Sequence, residues 1–247
     1  MRVPVPDRTR VLERREHPVV RVLALAGLLV LWELVTRTGR VPSLFLPSPL
    51  DVIQSGVEML RSGELVTHVL TSLRRVVLGV GLGALGGVSV GLAIGISRLA
   101  EAVGNPLIAA TFPIPKIALL PLLILWLGIG EASKVAVITL GVFFPMAINT
   151  YAGVRSADPL LIRKVLLPSA LPMIFAGLKL GAGTSLLLLV AAEMIAANAG
   201  IGFLVLHAQN LMETTKLMVG IVLLSVLGVL THWLLVRCER VAIPWTT

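Results

Sequence analysis

The sequence predicts an all-α membrane protein with six transmembrane helices and short interfacial helices between them. Three observations carry that prediction. Of the 247 residues, 56% are hydrophobic and only 14% charged, with a mean hydropathy of +0.96, whereas a soluble domain carries about a quarter charged residues. The apolar residues gather in runs of about 20, the length a helix rising about 1.5 Å per residue needs to cross the hydrocarbon core. The 21 Lys and Arg residues, which set the net charge at +8, cluster at the ends of those runs and in the N-terminal tail. That pattern sets topology and meets anionic lipid headgroups. Membrane lipid is therefore an expected partner and nucleic acid is not.

In chain order, residues 1–18 form a polar, arginine-rich tail, 19–240 a single transmembrane domain and 241–247 a short C-terminal tail. Spans are expected at about 19–36, 73–97, 102–127, 134–154, 167–196 and 217–236. The first is read as an uncleaved span rather than a signal peptide, because Trp32-Glu33 stands where a small-x-small cleavage site would follow. In the connector after it, Ser48 is a candidate N-cap, with Pro49 at the first helical position and Asp51 in the first turn. Leu50, Ile53, Val57 and Leu60 then recur at helical spacing, in a helix too short to span and expected at the membrane surface.

The second span carries Gly79, Gly83, Gly87, Gly91 and Gly95. A four-residue step drifts about 40° round a helix, so the ladder winds slowly and offers a thin face for close helix packing. This helix is expected to be the central strut; solute passage along the glycines is the alternative. Arg74 and Arg75 at its start are expected to snorkel to the headgroups. The third span is broken by Pro106, Pro113, Pro115 and Pro121. Irregular backbone in a bilayer survives only where protein or water satisfies it, so the break at Pro113-Ile114-Pro115-Lys116 is expected to face the bundle interior. Lys116 then either lines a pathway for anions or reaches an interface.

The fourth span contains Pro145 and Asn149. In the fifth, Pro168 suits the first helical position, Pro172 follows one turn later, and Gly177, Gly181 and Ala182 keep one flank thin. Between Leu166 and Ala197 the only charges are Lys179 and Glu193. An ionisable residue inside a membrane faces a cavity or a partner, so Glu193 is a candidate for the translocation pathway; pairing with another helix or with Lys179 is the alternative. The helix leaves through Asn198-Ala199-Gly200-Ile201-Gly202, with Asn198 as a further pathway candidate. Residues 203–212 are amphipathic, and Arg237 and Arg240 close the sixth span.

Six spans put both termini on one side. Counting Arg21 with the tail and Lys134 with the connector before its span, that side carries twelve Lys and Arg against five on the other, so both termini are expected in the cytoplasm of a cell whose inner membrane holds the chain. There is no phosphate-binding loop and no catalytic Ser/His/Asp set or carboxylate pair, so the chain is not expected to be an enzyme. Cys238 is the only cysteine, which excludes an intrachain disulfide. His17, His68, His207 and His232 lack ligand spacing, so no metal and no cofactor is expected.

Several segments together resemble the permease subunit of a bacterial ABC importer, in the branch serving sulfonates, taurine, nitrate and related small solutes. Val165-Leu166-Leu167-Pro168-Ser169-Ala170-Leu171-Pro172 is similar to the family's entry to the fifth helix. Val190-Ala191-Ala192-Glu193-Met194-Ile195, followed by Gly200-Ile201-Gly202, is similar to the end of that helix. Phe45-Leu46-Pro47-Ser48-Pro49, Pro113-Ile114-Pro115 and Leu122 to Gly130 fit as well. The resemblance covers nearly all of the chain after about residue 20. It implies the type I ABC importer permease fold, a permease homodimer, two copies of an ATP-binding subunit and a periplasmic or lipoprotein solute-binding protein.

One departure stands out. The family carries a cytoplasmic Glu-Ala-Ala-x-x-x-Gly signature, the coupling helix that sits in a groove of the ATPase. Here Asp158-Pro159-Leu160-Leu161-Ile162 runs straight into Arg163-Lys164, with both flanks present and about four helical turns missing between them. The shortened loop leaves two alternatives open beside a working importer subunit: an uncoupled or non-transporting membrane protein, and an ion-coupled secondary transporter of the kind built on broken helices.

Overall fold

A computed structural model describes residues 18–156 and 162–244, and these form helices without a strand. In order they are α1 (Pro18–Arg37), α2 (Pro49–Arg61), α3 (Glu64–Ile96), α4 (Arg98–Thr111), a 3-10 turn (Lys116–Leu119), α5 (Leu120–Leu127), α6 (Glu131–Arg155), α7 (Ile162–Ala196), α8 (Ile201–Asn210) and α9 (Thr214–Ala242). Four of them, α3, α6, α7 and α9, are long and apolar enough to cross a membrane. Helix α4 and the Lys116–Leu127 segment, bent by 89° at the break between them, make a fifth when counted together as one span. The 20 residues of α1 match the thickness of a hydrocarbon core, about 30 Å. Asp158 to Leu161 of the coupling loop lie outside the described residues.

The core is built on α6. One flank of it packs on α3 through the glycine ladder, and the α6 residues met there repeat the step of four. Gly79 meets Ile138, Gly83 meets Val142, Gly87 meets Met146, Gly91 meets Thr150 and Gly95 meets Val154. A Cβ added at Gly83, Gly87 or Gly91 would stand 2.6–2.7 Å from the main-chain oxygen of Thr139, Phe143 or Ala147, closer than any real contact. The other flank of α6 packs on α7, where a Cβ on Gly177 would lie 3.0 Å from the Pro145 carbonyl oxygen. The strut at the centre is therefore α6 rather than the glycine-bearing α3. The most apolar 18 residues of α6 are 44% buried, against 28% for α3. Glycine marks where a helix is approached on one face; α6 is approached on two.

Further differences from the sequence expectation have simple causes. Helix α7 starts at Ile162, so Pro168 falls in its second turn instead of at its start and forgoes the main-chain bond to the residue four before it. The cap of α2 is as expected: Ser48 accepts from the Asp51 N–H at 3.1 Å and Asp51 answers the Ser48 N–H, with Pro49 at the first position. Yet Leu50, Ile53, Val57 and Leu60 remain exposed, while Val52 and Met59 of the same helix pack with Leu204 of α8 and Val219 of α9. The helix thus has two apolar faces, one for the protein and one for the surroundings. The outer faces of α1 and α9 are likewise apolar and exposed, the condition of helices solvated by lipid chains.

Candidate functional site

Two places in the bundle collect polar groups. The first lies at the end opposite the α6–α7 connection. His68, Ser72 and Arg75 stand on successive turns of α3, continuing the face that carries the glycines. Glu193, wholly buried near the end of α7, accepts from Ser72 Oγ at 2.7 Å, from Arg75 Nη1 at 2.8 Å and from the Gly202 N–H at 2.8 Å. Arg75 also donates through Nε to Glu131 of α6 at 2.7 Å and through Nη1 to the Ala199 carbonyl at 2.7 Å. The start of α8 is taken up in the same cluster. The N–H groups of Gly200 and Ile201 donate to His68 Nδ1 at 3.0 Å and Ser72 Oγ at 2.8 Å, so with Gly202 three of the four orphan donors of this helix N-terminus are answered by side chains. Gly200 holds φ 129°, and a Cβ there would lie 2.6 Å from Glu193 Oε2, which admits only glycine. Lys134 closes the edge by donating to the carbonyls of Ile129 and Gly130 at 2.7 and 2.9 Å.

This corrects the expectation for Arg75 and, for Glu193, shows pairing with another helix rather than with Lys179. Arg75 does not snorkel: its side chain is 3% exposed and neutralised by two carboxylates. Glu193 is paired with α3, and Lys179 pairs instead with Glu239 of α9 at 2.5 Å. Sequence inspection missed His68, Ser72, Arg75 and Glu131. The signal was there, since a buried carboxylate demands a cation and Arg75 lies on the α3 face that approaches α6.

The second place is a cavity of about 710 Å³ at the bend between α4 and α5. Its wall runs through Phe112, Pro113, Pro115 and Lys116 at the break, Phe144 and Asn149 of α6, and Thr184 and Leu188 of α7. Most of that wall is apolar. Asn149 donates to the Pro145 carbonyl at 2.8 Å, and Thr184 bridges to the Gly141 carbonyl at 3.2 Å. Lys116 is the ionisable residue of the wall. Its ammonium donates to the carbonyls of Thr111, Phe112 and Ile114 at 3.1, 2.6 and 2.8 Å and stands 4.2 Å from the centre of the Phe144 ring. Of the predicted pathway residues, the structure thus brings Pro113, Pro115 and Lys116 together on one cavity. It places Glu193 in the closed cluster and Asn198 on the exposed turn after α7, and neither of these lines the cavity.

A bundle of apolar helices with a broken helix and a cavity at the break fits a membrane transport subunit. The family described as "Binding-protein-dependent transport system inner membrane component" matches residues 158–241. The chain is 34% identical to the putative aliphatic sulfonates transport permease protein of Bacillus subtilis (strain 168), over 91% of this chain and 86% of that one. It is 35% identical to the taurine transport system permease protein of Escherichia coli (strain K12), over 90% and 87%, and 35% identical to that organism's putative aliphatic sulfonates transport permease protein, over 89% of each. The chain belongs to this family of ABC importer permeases. The Bacillus alignment spans 238 positions yet covers 91% of the 247 residues here, about 225, so about a dozen aligned positions are filled only in the relative.

Proposed function

We propose that this chain forms the translocation pathway of an ABC importer for a small solute of the sulfonate, taurine or nitrate kind, delivered by a solute-binding protein. The observation that carries the reading is the cavity at the helix break, in a chain whose relatives bear permease names for aliphatic sulfonates and taurine. Two copies face each other across their cavities, and two ATP-binding subunits drive them from the cytoplasmic side, where both termini and the 155–164 connection lie. Membrane lipid solvates α1 and α9. Pro113, Pro115 and Lys116 line the solute's route. Glu193 serves that route at one remove, by pinning the outer ends of α3, α7 and α8, and Asn198, exposed after α7, is a further candidate for the route.

Asp158 to Lys164 is what remains of the ATPase-docking loop, and we place the dozen missing positions after Ile162, where both flanks of the coupling signature stand. This keeps open a second reading, an uncoupled chain. Uptake of radiolabelled taurine and ethanesulfonate, in cells with and without this chain, tests both. Loss of uptake on deletion is expected. Uptake unchanged by deletion would refute the importer, as would a deletion strain without uptake that neither this chain nor a version carrying the coupling helix restores; restoration by that version alone would make the chain uncoupled.

A further inference from the structure

The way Lys116 is held states what the cavity can take. An ammonium has three N–H donors, and here all three are spent on the carbonyls of Thr111, Phe112 and Ile114. These carbonyls belong to the last turn of α4 and the residues just beyond, the negative end of a helix dipole. On the other side stand the rings of Phe144 and Phe112, with centres 4.2 and 5.4 Å from Nζ, a favourable seat for a cation. Carbonyl oxygens and aromatic faces together make an ammonium cage, opening on an otherwise apolar cavity.

At Lys116 a simple anion finds no free donor. To pair with Lys116, the anion must draw the ammonium off its carbonyls and leave them bare in apolar surroundings, which is unfavourable. A solute that brings its own ammonium exchanges like for like. We propose that this cavity is a binding site for a zwitterion, an ammonium joined to a sulfonate-type anion by a short apolar linker. The cage takes the solute's ammonium in place of that of Lys116, and the released Lys116 pairs with the anionic end. The proposal rests on the cavity being the solute route and adds the selection made there.

The purified full chain in nanodiscs, in equilibrium dialysis against labelled taurine, ethanesulfonate and n-propylammonium, provides the test. Taurine is expected to bind about tenfold more tightly than ethanesulfonate, which differs from it by lacking the ammonium, and Phe144→Leu is expected to erase most of that preference. Lys116→Met is expected to lose taurine and to gain propylammonium, which fills the vacated cage. Equal binding of taurine and ethanesulfonate by the wild type overturns the proposal, as does no taurine binding at all. So does a Lys116→Met chain that folds and binds no more propylammonium than the wild type, which would leave Lys116 as a helix cap alone. Should that variant fail to fold, Phe144→Leu still decides. A chain that supports uptake but does not discriminate sinks only the zwitterion site; one that discriminates but supports no uptake sinks only the importer.

Discussion

The two polar places in this bundle solve the same problem in opposite ways. At the Arg75–Glu193 cluster, Arg75 meets a carboxylate on each of two other helices, Lys134 at the edge is held by carbonyls, and main-chain donors of α8 complete the set. At the helix break, a single ammonium meets only carbonyls and aromatic rings on its own and one neighbouring segment. The first ties α3, α6, α7 and α8 together, with Arg75 and Glu193 buried in protein. The second borders a space of about 710 Å³. Charges with charged partners in protein make structure; a charge held only by dipoles and bordering a cavity, as Lys116 is, can be exchanged, and there a solute has something to compete for.

Mutation separates the two. The largest effect is expected for Arg75→Met, which strands Glu193: removing one partner of a buried pair destabilises by about 3–5 kcal/mol, to be read as a fall in thermal midpoint in detergent. Glu193→Leu should abolish uptake with it, whereas the double change Arg75→Met with Glu193→Met should recover much of the lost stability, because apolar replacement of both partners is close to neutral. A full rate of transport by Glu193→Leu would remove the cluster from the function. Next comes Gly91→Val, which drives a side chain onto the Ala147 carbonyl and Thr150. Overpacking of this kind costs about 1–3 kcal/mol, and the same midpoint measures it.

Smaller effects sharpen the contrast. Ser48→Ala removes the α2 cap and should cost about 1 kcal/mol, visible as faster amide exchange confined to Pro49–Arg61. Lys116→Met should cost at most about 1 kcal/mol, the worth of a cation at a helix C-terminus. Were it as damaging as Arg75→Met, the cage would be structure and the distinction between the two places would fall.

Much of this was legible beforehand because it depends on short-range pattern. The glycine step of four, the prolines at 113 and 115, the Ser48 cap and the buried Glu193 each announce a local constraint. The partner of Glu193 was only half legible: the glycine step of four carried back from Gly79 picks Arg75 over Arg74, which points outward, but the pairing with Glu193 joins residues 118 positions apart and no local pattern announces it. Likewise the glycine ladder identified a close contact on α3 without saying that the helix opposite it, α6, was the one enclosed on both sides.

Composition and periodicity alone determined that the chain is a bundle of membrane helices, because burying a main chain in hydrocarbon leaves few alternatives to a helix. They determined too that one span is broken, because proline removes main-chain donors wherever it stands. Which charge answers which, and where the break leaves a cavity, was decided only in three dimensions. Electrostatic pairing and empty volume depend on distances between segments far apart in the chain, and those distances exist only once the helices have packed.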